Sequence, residues 1–289
     1  MPDLWYSGAP PRRLLCPDLQ DLILEEGREV TGTTEPALGS GIIALIGTAR
    51  SGKTTLAYQL IDYAIHHTNR PIFLAKFPDV VIEEGLPEHW KGRVEARDSD
   101  EIHKVGQDEN AIWLLDDAAA NFNSRSSMRK GQVSFSRAAG VISHLGGGQT
   151  VIFTSQSAQG VDLSFFRFTE VVTVTRYMSG VGLRTERSAW SEDLSHAQYL
   201  LRMAHGNEGS KRLRDYYVVI SSSGSGGKTD FTVVPFVKPR WLFDGLGEKS
   251  RDMLSRPFRY MEERQIAEII QGPQPRPRGR PRKKKEENE

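Results

Sequence analysis

The stretch Gly41–Ile46 is apolar without interruption and runs straight into Gly47-Thr48-Ala49-Arg50-Ser51-Gly52-Lys53-Thr54-Thr55. This segment meets G-x-x-x-x-G-K-S/T at every fixed position, and a helix-forming segment follows over 56–66. A strand, a glycine-bearing loop and a helix in that order are the context a phosphate-binding loop requires. Gly47 and Gly52 let the backbone turn so that successive N–H groups point inward at phosphate oxygens. The helix starting near Lys53 adds the positive end of its dipole to the same anion. Lys53 is expected to reach the β- and γ-phosphates of a nucleoside triphosphate, and Thr54 to offer a hydroxyl to Mg²⁺.

A second Gly-Lys-Thr occurs in Gly224-Ser225-Gly226-Gly227-Lys228-Thr229, but Ser222 stands where the first glycine is needed. Its flanks over 216–221 and 230–234 read as strands. A loop between two strands has no helix N-terminus to offer, so this one is expected to be a hairpin loop and not a nucleotide site.

Composition narrows the remaining choices. One cysteine, Cys16, in 289 residues excludes a disulfide framework and a cysteine metal cluster. No run of about 18 apolar residues suggests a membrane span, and the first residues lack the basic-then-apolar order of a secretory signal. The expected location is the cytoplasm of a host cell, with association to a virion as the alternative. The net charge is only +1, yet residues 273–289 carry seven basic side chains against three acidic ones. Attraction to nucleic acid is therefore expected of the tail and not of the body.

Along the chain, residues 1–36 read as an arm with a short amphipathic piece over 19–24. Residues 37–240 read as the nucleotide-binding domain, 241–272 as a helical segment with an amphipathic helix over 255–270, and 273–289 as a disordered basic tail. Strands are expected at 41–46, 72–77, 111–115, 150–154 and 170–175. Helices are expected at 56–66, near 102–105 and from about 130 to 144. Strands alternating with helices imply an α/β layer fold built on a mostly parallel sheet, and the later strands extend it as a hairpin.

The strand over 111–115 delivers Asp116 and Asp117 at its C-terminal edge, where ligands sit in open α/β sheets. Asp116 is expected to hold the Mg²⁺ shell, and Asp117 to polarise the attacking water. The fourth strand turns polar at Thr154-Ser155-Gln156. Gln156 is the residue expected to touch the γ-phosphate or its water, with Thr154 and Ser155 as alternates.

A phosphate loop, an acidic strand end and a strand closing on Thr-Ser-Gln together resemble the additional-strand P-loop ATPases. Among these the chain looks most like the FtsK/HerA superfamily, which includes packaging ATPases of viruses and Zot-like proteins. The resemblance spans residues 41–156. It implies a RecA-like sheet, ATP hydrolysis with Mg²⁺, and a hexameric ring that moves double-stranded DNA. The family usually has Glu where this chain has Asp117, a shorter reach to the attacking water. Ring motors also complete each site with an arginine from the neighbouring subunit. The candidates are Arg125, Arg129, Arg137, Arg176, Arg184 and Arg187, with Arg137 and Arg176 preferred.

Pro277-Arg278-Gly279-Arg280-Pro281 resembles an AT-hook. Gly279 lets the backbone lie flat on a groove floor, Arg278 and Arg280 fit a narrow A·T minor groove, and Pro281 keeps the segment extended. The expected function is thus an ATP-driven DNA translocation or packaging motor. The alternatives are a Zot-like assembly or export ATPase and a P-loop kinase of a small molecule.

Overall fold

The computed structural model describes residues 5–24, 41–75, 77–97, 110–116, 149–157, 171–178, 180, 183, 188–205, 215–223, 228–242, 248–255 and 259. Its centre is an eight-stranded sheet. The strands are β2 (Gly41–Ile46), β3 (Ile72–Ala75), β4 (Val94–Arg97), β5 (Ile112–Leu115), β6 (Thr150–Ser155), β7 (Val171–Thr175), β8 (Tyr216–Ser223) and β9 (Lys228–Pro235). Their order is β4-β3-β5-β6-β2-β7-β8-β9. The first six in that order pair in parallel, while β8 and β9 pair antiparallel as a hairpin on the edge. A separate parallel pair joins β1 (Trp5–Tyr6) to β10 (Lys238–Pro239).

The sequence dictates the middle of this sheet. Every residue of β2, β5 and β6 is buried, which is what strands covered by helices on both faces need and what continuous apolar runs supply. Between the strand leading into the phosphate loop, β2, and the strand ending at Asp116, β5, lies β6. That inserted strand is the expected additional-strand arrangement. The second Gly-Lys-Thr falls where a hairpin was expected, with Lys228 and Thr229 already inside β9.

Helix α2 (Lys53–His67) follows the loop and is wrapped on nearly all sides, so that Leu56 through Ile65 are buried without a break. Part of the wrapping comes from the N-terminal arm. Helix α1 (Pro17–Ile23) buries Leu19, Leu22 and Ile23 in the same core cluster as Leu60, Ile61 and Tyr63. Three hydrogen bonds pin the arm to α2: Tyr6 Oη to Asp62 Oδ2 (2.8 Å), Tyr63 Oη to Arg12 O (3.0 Å), and His67 Nε2 with Pro10 O (2.7 Å). Thr68 ends the helix by donating its hydroxyl back to Ala64 O at 2.8 Å, and Pro71 cannot continue it. Cys16, at the head of α1, is buried, and burial pushes its thiol up to about 11.

The structure corrects several expectations. Strand β3 stops at Ala75, short of residue 77. Strand β4 and helix α3 (Ser188–His205) were not anticipated. Helix α4 (Glu248–Ser255) was not anticipated, and the helix expected over 255–270 lies outside the described residues apart from 255 and 259. The expected helices at 102–105 and 130–144, and the basic tail, lie outside the described residues. No helix among the described residues is long and apolar enough to cross a membrane.

Candidate functional site

The phosphate loop connects the end of β2 to the start of α2 at the C-terminal edge of the parallel strands. Arg50 (φ 62°) and Gly52 (φ 90°) both sit in the left-handed region, which folds the loop back over the helix N-terminus. Gly47 is needed for a different reason. A Cβ there would lie 2.7 Å from Ser51 Oγ and 2.9 Å from Arg176 Cβ, closer than real Cβ contacts allow. Loop bonds complete the shape: Ser51 N donates to Thr48 O (3.2 Å), and Thr48 N and Oγ1 both donate to Tyr177 O (3.1 Å each). Ala49 and Thr55 occupy the loop and the first turn of α2 between these fixed points. The Lys53 ammonium, largely buried, donates to Thr48 O at 2.9 Å, inside the mouth of its own loop.

Strand register brings the acidic residue to the loop. Leu115 pairs with Phe153, so Asp116 is level with Thr154 on the neighbouring strand. The Thr154 hydroxyl donates to Asp116 Oδ1 at 2.6 Å. From the other side, the Thr54 hydroxyl donates to the same carboxylate, 3.2 Å from Oδ1 and 3.4 Å from Oδ2. Residues 62 positions apart in the chain thus meet at one carboxylate. Tyr58, one turn down α2, is fully buried and donates to Leu254 O at 2.9 Å. Burial first, and then the charge of Asp116, hold its phenol well above the usual range.

Ser155 hydrogen-bonds within its own turn, donating to Ser157 O at 2.7 Å and accepting from Ser157 N at 3.3 Å. Gln156 lies one residue past β6, exposed, at the same rim as the loop. The structure therefore gives Thr154, an alternate in the sequence reading, the direct contact with Asp116.

Arg176 requires a correction. It was preferred as an arginine reaching into a neighbouring subunit, but it is 1% exposed and occupied within its own chain. Its Nε donates to Ser51 O at 2.9 Å, its Nη1 donates to Tyr216 O, and its guanidinium lies 4.5 Å from the centroid of the Phe236 ring. Its own backbone is gripped as well. Arg176 N donates to Ile46 O (2.8 Å), and Gln198 Nε2 donates to Arg176 O (3.0 Å). A buried cation committed to main-chain carbonyls has no reach beyond its own fold; it braces the loop from behind. The sequence hint was position alone, because Arg176 follows directly on a strand that flanks β2.

Asp117, Arg137, the other arginine candidates (Arg125, Arg129, Arg184 and Arg187) and Arg278, Gly279, Arg280 and Pro281 lie outside the described residues.

No protein-family model matches the sequence, and no curated protein matches it. Among solved structures, the chain is similar to the genome packaging NTPase B204 from Sulfolobus turreted icosahedral virus 2 in complex with ATP-gammaS. The identity is 14%, over 68% of this chain and 98% of that one, with a TM-score of 0.46. It is also similar to the N-terminal domain of zonular occludens toxin from Neisseria meningitidis, at 10% identity over 70% and 96% of the two chains (TM-score 0.37). A KaiC-like protein from Pyrococcus horikoshii OT3 is similar at 13% identity over 74% and 93%, with a TM-score of 0.39.

Proposed function

We propose that the chain is a Mg²⁺-dependent ATPase that drives movement of double-stranded DNA as a ring-shaped homo-oligomer. The observation that carries the nucleotide part is the meeting of Thr54, Asp116 and Thr154 at the mouth of the phosphate loop. A hydroxyl and a carboxylate 3.2 Å apart are hard oxygen donors of the kind Mg²⁺ takes, with room left for phosphate and water. Bound there, Mg²⁺ would neutralise charge developing on the phosphate oxygens. The loop N–H groups and the α2 N-terminus would hold the phosphates. Lys53 would exchange Thr48 O for a phosphate oxygen, a stronger charge-assisted partner. Asp117 would orient the attacking water, Gln156 would contact the γ-phosphate end of the site, and Arg137 of a neighbouring subunit would complete it.

The DNA part rests on different support: the resemblance of the motif order to ring translocases, and the basic, proline-spaced tail carrying Arg278 and Arg280. Such a tail would supply the salt-dependent affinity that the near-neutral body lacks. The test is ATP turnover of the full chain with and without duplex DNA, alongside its native mass. We expect stimulation by duplex DNA, an assembly of about six subunits as the resemblance to ring translocases implies, and a fall of at least about 10²–10³ in kcat for Lys53→Ala. Turnover indifferent to DNA would favour an assembly or export ATPase. A monomer phosphorylating a metabolite would make it a kinase.

A further inference from the structure

One turn of α2, well away from the phosphate loop, carries a second group of ligand-type side chains. Asp62 and His66 lie four residues apart on one helix face, and His89 faces them from the 3-10 turn Glu88–Trp90. The ligand atoms of all three lie within 4.8 Å of one another. The His66 and His89 rings stack, with centroids 5.3 Å apart and planes at 25°. Asp62 is fully buried while both histidines are exposed, so the group opens to solvent on one side only.

We propose that Asp62, His66 and His89 form a binding site for one divalent transition-metal ion of the zinc class, which would clip the P-loop helix to the turn at 88–90. Two imidazoles and a carboxylate are a donor set that zinc, cobalt and nickel accept, whereas Mg²⁺ and Ca²⁺ favour oxygen alone. The carboxylate is already aimed. Trp90 Nε1 donates to Asp62 Oδ1 at 2.8 Å and Tyr6 Oη donates to Oδ2 at 2.8 Å, the outer hydrogen bonds that orient a ligating carboxylate. His89 Nε2 lies 2.6 Å from Asp62 Oδ1, a separation two acceptors reach only with a proton or a cation between them. The imidazole can carry its proton on the other ring nitrogen, which frees Nε2 to bind metal. The solvent side leaves water to complete a tetrahedron.

Burial pushes the Asp62 carboxyl up, but hydrogen bonds from His89, Trp90 and Tyr6 outweigh it and hold the pKa below the usual range. Burial lowers the pKa of His66, with Asp62 opposing and His89, His67 and Arg93 adding to the fall. The group is not the nucleotide's magnesium site. Asp62 is nine positions beyond Lys53 on the same helix, about 14 Å along its axis.

The same contacts would also serve a buried carboxylate that is simply hydrogen-bonded by its neighbours, with no metal in its role. The experiment uses the full chain, stripped with a chelator and titrated with Zn²⁺ against a chromophoric competitor, with Co²⁺ absorption as a second readout. Wild type is expected to take up one equivalent per chain and to gain thermal stability on doing so. His66→Ala and His89→Ala, both at exposed positions, should each weaken binding by more than the roughly 10–100-fold that loss of an outer hydrogen bond costs. Asp116→Asn, which damages the nucleotide site, should bind zinc as wild type does. A wild-type chain that binds no zinc, or binding that survives both histidine substitutions, overturns the proposal.

Discussion

Two buried arginines sit at opposite ends of the same sheet, and each is 1% exposed. Arg70 lies at the N-terminal edge. It donates to Leu22 O (3.0 Å), Ile23 O (2.9 Å), Asn110 O (3.2 Å), Ala111 O (3.1 Å) and Thr150 Oγ1 (3.1 Å). Those partners come from the arm helix α1 and from the strand starts of β5 and β6, so Arg70 fastens the arm to the sheet. Arg176 lies at the C-terminal edge and grips Ser51 O of the phosphate loop and Tyr216 O of the hairpin strand β8. The chemistry is the same in both, a guanidinium whose planar fork matches main-chain carbonyls. Location separates them. One joins parts that need only stay together, while the other braces a loop whose geometry decides where a phosphate sits.

The largest expected effect belongs to the structural member of the pair. Arg70→Met keeps the stem but takes the donor from the buried carbonyls of Ile23 and Asn110 at about 1–3 kcal/mol each, while Leu22 O and Ala111 O still accept from Thr150. Some relax toward water, so a net loss on the order of 3–4 kcal/mol in unfolding free energy is expected by chemical denaturation. ATP turnover per folded molecule should stay within about twofold, since no contact of Arg70 reaches the loop. Arg176→Met should behave in the opposite way. The loop loses its rear support, and a misplacement near 1 Å can cost about 10²-fold, so kcat/KM should fall by about that factor while the stability loss stays below that of Arg70→Met. Equal activity losses in the two variants would erase the distinction drawn between the two ends.

Neither destination could be read from the chain. Asn69-Arg70-Pro71 looks like a polar helix stop, and Thr175-Arg176 like a strand running out into solvent. A charge in a sequence reads as solvated because its compensation, here carbonyls up to 125 positions away, exists only after folding. The middle of the sheet was legible for the converse reason. Continuous apolar runs such as Ile112-Trp113-Leu114-Leu115 have one stable place to go. The meeting of Thr54 with Asp116 was legible because the loop chemistry demands a carboxylate at a strand end on the same rim of the sheet. Strand β4 was not legible, since only Val94 of its four residues is buried and an edge strand need not alternate cleanly. Which residue at the end of β6 stands level with Asp116 was not legible, because sequence order does not fix the register of two strands.

A smaller effect isolates one contact at the Arg70 end. Thr150 accepts from Arg70 Nη2 and donates its hydroxyl to Leu22 O, closing a small ring of hydrogen bonds between arm and sheet. Thr150→Val keeps the shape and removes both bonds, at about 1–2 kcal/mol of stability. In a Thr150→Val, Arg70→Met double-mutant cycle the two losses should fall well short of additive, because they share partners. Full additivity would mean that the two side chains act separately.

The smallest effect tests what Arg176 has and Arg70 lacks, an aromatic partner. The Phe236 ring lies under the guanidinium at 4.5 Å, in a buried setting, and Phe236 N is itself tied to Asp215 O. A desolvated cation over a ring is worth about 0.5–2 kcal/mol. Phe236→Leu keeps the apolar cover but removes the quadrupole. The ring also limits where the guanidinium can move, so its loss should loosen the hold on Ser51 O without releasing it. A fall in kcat/KM of about threefold to tenfold is expected, since each 1.4 kcal/mol is a factor of ten. The loss should vanish in the Arg176→Met background, where no cation remains for the ring to hold. Persistence of the full loss in that background would place Phe236 in loop packing on its own account and would detach it from the arginine.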